Sequence, residues 1–191
     1  MIKVAIMGYG TVGSGVYEVI RTNEKSIDKK VGQELRIKYV LDLREFPGDP
    51  VMEVLTHDFE DIIGDEEVRI VAEVMGGLHP AYEFTKRCLE AGKSVCTSNK
   101  ELVAEHGAEL IQIAKEHQVN YLFEASVGGG IPIIRPLNSS LTADVILEVS
   151  GILNGTTNYM LTKMDREGLD YMDVLKEAQD KGYAELHPEA D

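Results

Sequence analysis

An α/β fold built on a doubly wound parallel sheet is predicted by three features of this chain. Short apolar runs recur between Ile2 and Phe123, and segments with apolar residues at helical spacing separate them. The first of these runs, Ile2–Met7, is a short apolar run that suits a buried parallel strand, and strands alternating with helices specify a parallel sheet covered on both faces. The first run ends directly in a glycine-rich turn, Gly8-Tyr9-Gly10-Thr11-Val12-Gly13.

Taken in order, Ile2–Met7 is predicted as a buried strand, and Thr11–Arg21 as a helix with Val12, Val16, Val19 and Ile20 at helical spacing. A polar stretch, Thr22–Glu34, leads to a second strand at Leu35–Leu41, and Pro47, Gly48 and Pro50 mark a loop. Asp58–Ile63 reads as a short helix and Arg69–Met75 as a third strand. A helix over His79–Ala91 closes at Gly92, followed by a strand at Ser94–Thr97, a long amphipathic helix at Asn99–His117 and a fifth strand at Val119–Phe123.

The pattern changes after Gly128-Gly129-Gly130. Pro132–Leu141 is predicted helical, Val145–Ile152 a strand, and Asn154–Arg166 and Tyr171–Lys181 helices. Residues 1–130 therefore read as a dinucleotide-binding domain. Residues 131–191 read as the beginning of a second, α+β domain, too short for a sheet of its own. No internal repeat or low-complexity tract is present.

Nineteen basic against thirty-three acidic side chains give a net charge of −14. Such a surface repels phosphate backbones and anionic lipid, which argues against nucleic-acid and membrane partners. It leaves a dinucleotide open, because backbone amides can hold a pyrophosphate on an acidic protein. No apolar run is long enough to span a bilayer, and the N-terminus flows into the glycine turn without a cleavage pattern, so a cytoplasmic location is expected. Cys88 and Cys96 sit inside predicted elements and read as reduced thiols, and no histidine pair has zinc-ligand spacing.

The glycine turn is G-x-G-x-x-G between a strand and a helix. The first glycine permits the tight turn, the second lets the backbone approach a pyrophosphate, and the third lets helix and strand pack closely. Free amides at the helix start, around Tyr9 to Gly13, then receive the phosphates. Asp42 ends the second strand, where a carboxylate can hold ribose hydroxyls and repel a 2′-phosphate, favouring NAD. Arg44 can instead hold that phosphate, favouring NADP. The choice stays open.

Six segments together resemble the homoserine dehydrogenases. They are GYGTVGSGV (Gly8–Val16), EVMGG (Glu73–Gly77), TSNKELVA (Thr97–Ala104), EASVGGGIPII (Glu124–Ile134), GILNGTTNYM (Gly151–Met160) and AQDKGYAELHPEAD (Ala178–Asp191). The resemblance implies a Rossmann domain and NAD(P)-dependent interconversion of L-homoserine and L-aspartate 4-semialdehyde, a step toward threonine, methionine and isoleucine. It places Gly76, Lys100 and Gly182 at the cofactor, with Lys100, read as buried, beside the reacting carbon. It places Glu185 and Asp191 at the substrate ammonium. It also implies a monovalent-cation site, such as for sodium, formed by Glu124, Val127, Gly129 and Ile131. His187 departs from the family's usual Asp, Asn or Ser before the proline. The family's proton-transferring lysine is expected beyond residue 191, so this chain by itself is expected to turn over weakly or not at all, and the full-length protein to be a homodimer. Two alternatives remain: a non-catalytic NAD(P)-binding module, or another Rossmann dehydrogenase acting on a small amino or hydroxy acid.

Overall fold

The structure, a computed structural model, describes residues 1–152 and 154–184. It falls into two compact units, Met1–Ser140 and Leu141–Asp191.

The first unit is built on a six-stranded sheet whose strands pair in parallel throughout. The strands are β1 (Ile2–Met7), β2 (Leu35–Leu41), β3 (Leu55–Thr56), β4 (Val68–Glu73), β5 (Ser94–Thr97) and β6 (Tyr121–Leu122), in the spatial order β3-β2-β1-β4-β5-β6. The chain winds outward from β1 in one direction and from β4 in the other. This is the doubly wound order in which ligands bind at the carboxyl ends of the two central strands. The fold class expected from the sequence is the one found.

Side-chain alternation along β1 assigns its two faces. Ala5 and Met7 join one core cluster with Cys88 and Leu89 of α4 (Ala81–Glu90) and with Leu102 and Leu110 of α5 (Lys100–Glu116). Ile6 points the other way, into a cluster with Tyr17 of α1 (Thr11–Thr22), Val40 and Val51. The two free thiols lie as expected, Cys88 in α4 and Cys96 in β5. Burial pushes the Cys88 thiol up to about 12, which makes it inert.

Three first-unit expectations change. The stretch Thr22–Glu34 contains a helix, α2 (Glu24–Val31), whose only apolar residues are Ile27 and Val31 and in which no residue is buried. Glu24 in its first turn, Lys29 and Lys30 in its last, and Gly32 at its left-handed C-cap (φ 79°) stabilise it instead. Asp28 fixes it to β2 by accepting the Leu35 amide at 2.9 Å and Arg36 Nη1 at 2.9 Å. Two-residue β3 carries no readable period, so it stays hidden in the sequence. In α1 the expected apolar stripe is only half used: Val12 and Val19 are 51% and 54% exposed, and Gly13 and Tyr17 form the buried face.

Beyond β6, the short helix α6 (Ala125–Gly128) and α7 (Ile134–Ser140) complete the first unit, with α3 (Phe59–Ile63) earlier in the chain, between β3 and β4. In the second unit, α8 (Gly155–Glu167) and α9 (Tyr171–Asp180) pack through Met160, Val174 and Ala178. Glu177 joins them by accepting from Tyr159 Oη at 2.8 Å and Lys163 Nζ at 2.7 Å. The strand expected at Val145–Ile152 is not formed. No strand exists among the described residues of this unit to offer it a ladder, and backbone groups without a ladder partner turn to water.

Candidate dinucleotide-binding cleft

The glycine turn joins β1 to α1 in the strand–turn–helix setting its chemistry requires. Gly8 has φ 101°, a conformation that L side chains rarely adopt, and a Cβ there would lie 3.0 Å from the Val74 carbonyl oxygen. A Cβ on Gly13 would lie 2.0 Å from the Gly8 carbonyl oxygen, so α1 packs onto the turn closer than any side chain permits. Gly10 differs from both: nothing lies within 4 Å of where its Cβ would stand. The backbone at Gly10 is thus open to close approach by a ligand. No side chain caps α1 and its first turn holds no acidic residue, leaving its N-terminal amides and positive dipole end for an anion.

Tyr9 has a different part from its neighbours. Its amide donates to Asp42 Oδ2 at 2.8 Å, so that amide is already engaged. Its ring is buried edge-on to Tyr17 and Phe46, with centroids 5.7 and 4.8 Å away, and its hydroxyl donates to Asp49 at 3.2 Å. Tyr9 holds the turn from beneath.

Asp42 stands just past β2. Its carboxylate accepts from Arg44 Nε and Nη2, both at 2.9 Å, and from the Arg44 amide at 3.0 Å. The Arg44 guanidinium holds the carboxyl well below the usual carboxylate range against the opposing effect of burial, and the Arg44 and Tyr9 amides lower it further. Arg44 Nη2 also reaches the Tyr9 carbonyl at 3.1 Å, and His57 Nδ1 lies 2.6 Å from the Asp42 carbonyl oxygen. Beside them opens a cavity of about 420 Å³ lined by Gly8, Asp42, Arg44, His57, Met75 and Phe84 among others. An acid and a base thus share this side of the cleft.

On the other side of the turn, β4 ends in Glu73, which is fully buried. Its Oε1 accepts the Met75 amide at 2.8 Å and its Oε2 accepts the Thr97 hydroxyl. Thr97 Oγ1 accepts the Asn99 amide at 2.9 Å. Asn99 caps α5, accepting the Leu102 amide at 3.0 Å, and donates to the Gly77 carbonyl at 2.7 Å. Gly76 lies within the segment Met75–Gly77 that this network holds. Lys100 follows as the first residue of α5 and is exposed rather than buried as expected, so an unusually desolvated ammonium is not part of the site in this structure. Periodicity did not single out Glu73. It stands at the end of β4 after Ile70, Val71 and Ala72, and the sequence carried it only within the segment EVMGG.

The comparisons with known proteins agree with this geometry. The profile for "Homoserine dehydrogenase, NAD binding domain" matches residues 8–124, and that for "Homoserine dehydrogenase" matches residues 132–191. The chain belongs to the homoserine dehydrogenase family. It is 45% identical to the homoserine dehydrogenase of Bacillus subtilis over all of this chain and 45% of that protein. A crystal structure of a homoserine dehydrogenase from Thiobacillus denitrificans matches with a TM-score of 0.87 at 41% identity, covering 98% of this chain and 44% of that one. A hyperthermophilic archaeal homoserine dehydrogenase mutant in complex with NADPH matches with a TM-score of 0.81 at 28% identity, over all of this chain and 64% of that one. The chain thus spans about half the length of the curated relatives it matches, and it carries the family's NAD-binding domain.

The remaining family positions are distributed as follows. Glu124 directs its carboxylate at the start of α7, accepting the amides of Ile133, Ile134 and Arg135, the last two at 2.8 Å. Burial pushes this carboxyl up, but those three backbone donors prevail and hold it below its ordinary value. Val127 lies in α6, and Gly129 (φ 57°) and Ile131 follow it. Among the described residues no cluster of His, Cys, Asp and Glu could hold a metal ion. Gly182 (φ 72°) lies just after α9. Glu185, His187 and Asp191 lie outside the described residues. Among the described residues, no helix is long and apolar enough to cross a membrane.

Proposed function

We propose that this chain forms the dinucleotide-binding half of an enzyme that interconverts L-homoserine and L-aspartate 4-semialdehyde with NAD or NADP. The observation that carries the reading is the cleft at the carboxyl ends of β1 and β4. There the open space over Gly10 and the uncapped start of α1 match a pyrophosphate, and Asp42 with Arg44 matches an adenosine ribose. The nicotinamide ring, when bound, supplies the acceptor or donor for the hydride that leaves or joins the hydroxyl-bearing carbon.

The chain's own residues bind and align. Amides from Gly10 to Gly13 hold the phosphates, and Asp42 orients the ribose. Segment Met75–Gly77 borders the cleft. Lys100 extends from the start of α5 toward the substrate, where an ammonium can orient the hydroxyl whose proton must leave as hydride departs. Glu185 and Asp191 attract the substrate ammonium. Carbonyls of Glu124, Val127, Gly129 and Ile131 hold a monovalent cation such as sodium; the Glu124 carboxylate is already engaged with α7, so its share falls to the backbone. The functional enzyme is a cytoplasmic homodimer.

The test is homoserine oxidation with NAD and with NADP, run on this chain and on the chain extended to the length of its relatives, alongside dinucleotide binding by calorimetry. Reduction of the cofactor by homoserine supports the reading. Binding without reduction in either length would overturn homoserine as the substrate and leave a non-catalytic dinucleotide module or a dehydrogenase of another small amino or hydroxy acid.

A further inference from the structure

The cleft contains a buried acid that the reaction above does not use. Glu73 is 0% exposed, yet its hydrogen-bond donors are neutral groups: the Met75 amide, the Thr97 hydroxyl and the Asn99 side chain. A buried carboxylate costs stability, and an apolar side chain of similar volume would fill the same place without that cost. The partners explain its presence. Each belongs to a segment bordering the cleft, and each is fixed in turn by the next.

The Thr97 hydroxyl gives its proton to Glu73, which leaves its lone pairs for the Asn99 amide. That bond orients Asn99, whose Oδ1 caps α5 and whose Nδ2 holds the Gly77 carbonyl. One carboxylate therefore ties together the end of β4, the end of β5, the Met75–Gly77 segment and the first turn of α5. The network also borders the phosphate turn, because the Val74 carbonyl stands 3.0 Å from where a Gly8 Cβ would be. A dinucleotide crossing a doubly wound sheet at its switch point has its adenosine over β2, where Asp42 and Arg44 lie. Its nicotinamide half then lies over β4 and β5, above this network.

We propose that Glu73 is a positioning residue for the nicotinamide half of the cofactor, acting through Thr97 and Asn99 to set Met75–Gly77 and the start of α5, including Lys100. This deepens the reading of the cleft as an NAD(P) site and rests on it.

The experiment compares two ligands on the same chain: NADPH or NADH, and the matching ADP-ribose or 2′-phospho-ADP-ribose, which lack the nicotinamide. In Glu73→Gln an amide N–H faces one of the donors, and in Thr97→Val the link to Asn99 is cut. Both should weaken the complete dinucleotide about tenfold or more, as loss of a hydrogen bond to a charged group implies. Both should leave the ADP-ribose affinity within about twofold. Thr97→Ser, which retains the hydroxyl, should restore the affinity lost in Thr97→Val. If Glu73→Gln fails to fold, Thr97→Val and Thr97→Ser carry the comparison alone. Equal losses for both ligands would reduce the network to a structural role and overturn the proposal, as would no loss for either. A wild-type chain that binds neither ligand would overturn the NAD(P) reading itself, a result distinct from failure of the Glu73 assignment.

Discussion

The Asp42 carboxylate accepts the Tyr9 amide at 2.8 Å, so one side chain joins the end of β2 to the phosphate turn. The same carboxylate is held by Arg44. In the proposed reading these two residues have opposite consequences for a 2′-phosphate, so their coupling means that neither would set cofactor preference alone. Asp42→Ser frees the Arg44 guanidinium for a phosphate and strips Tyr9 of its partner. It should lower affinity for both dinucleotides while shifting the ratio toward NADP. Arg44→Ala should shift the ratio toward NAD by about tenfold, the scale of one charge-assisted contact. Calorimetric titration of both variants with both cofactors reads the ratios. An unmoved ratio in both would place the 2′-position elsewhere.

The glycines of the turn should separate fold from binding. Gly10 is extended, with φ −86° and ψ −158°, and open, so Gly10→Val should fold with a melting temperature near that of the parent. It should nonetheless lose dinucleotide binding, because the valine occupies the pyrophosphate's place. Gly13→Ala meets the Gly8 carbonyl at 2.0 Å and must push α1 off the sheet. Overpacking of this kind costs about 1–3 kcal/mol or more. Thermal unfolding of the two variants should therefore differ sharply, with Gly13→Ala the unstable one. Similar melting temperatures would contradict the close approach.

How far the sequence is readable follows from what each element needs. Strand β1 is an apolar run broken only by Lys3, β2 sets Leu35, Ile37 and Tyr39 in alternation with Arg36 and Lys38, and β5 is a short run before the Ser98 loop, so the bounds expected for all three match those found. Helix α2 escaped because its stability comes from charges placed along its dipole and from Asp28, not from an apolar face. The strand expected at Val145–Ile152 has the right composition, but pairing is a property of two segments, and composition speaks for one. In the cleft, the motif disclosed the glycines and Asp42. It did not disclose that the Tyr9 amide is engaged, because that depends on a residue of another strand. Glu73 was visible only as one letter of a family motif, since its meaning depends on Thr97 and Asn99 meeting it across the sheet.

The Val145–Ile152 segment has a measurable consequence. Val145, Leu147, Val149 and Ile152 are 83%, 93%, 66% and 80% exposed. Without ladder bonds their amides should exchange with solvent at nearly the intrinsic rate, whereas those of α8 and α9 are protected. Exposed apolar residues in a segment without ladder partners also offer a surface for association. Hydrogen exchange should therefore show this segment unprotected in dilute solution, with protection growing as protein concentration rises. Strong protection at the lowest concentration would mean that the segment pairs within one chain.

Glu73 should leave a signature in the pH dependence of stability. Burial raises its pKa, and the hydrogen bonds from Thr97, Met75 and Asn99 only partly oppose this. The folded chain therefore binds the Glu73 proton more tightly than the unfolded chain does. Its contribution to stability is fully present below the unfolded value, near about 4.3, and declines as pH rises through the folded value. Asp42 and Glu177 work in the opposite sense, since their carboxyls are held low and their contributions are lost as pH falls. The net curve of the parent chain mixes both signs. A difference between parent and variant isolates one of them. In Glu73→Gln the titrating group is gone while Asp42 and Glu177 remain, so their contributions cancel in the comparison. The parent's melting temperature, relative to that of Glu73→Gln, should therefore fall as pH rises above about 4.3 and level off once pH has passed the folded value. Thermal unfolding of both proteins at a series of pH values from about 4 upward provides the measurement. A difference that stays constant with pH would mean that Glu73 carries the same charge in the folded and unfolded chains, and that its burial exerts no net hold on its proton.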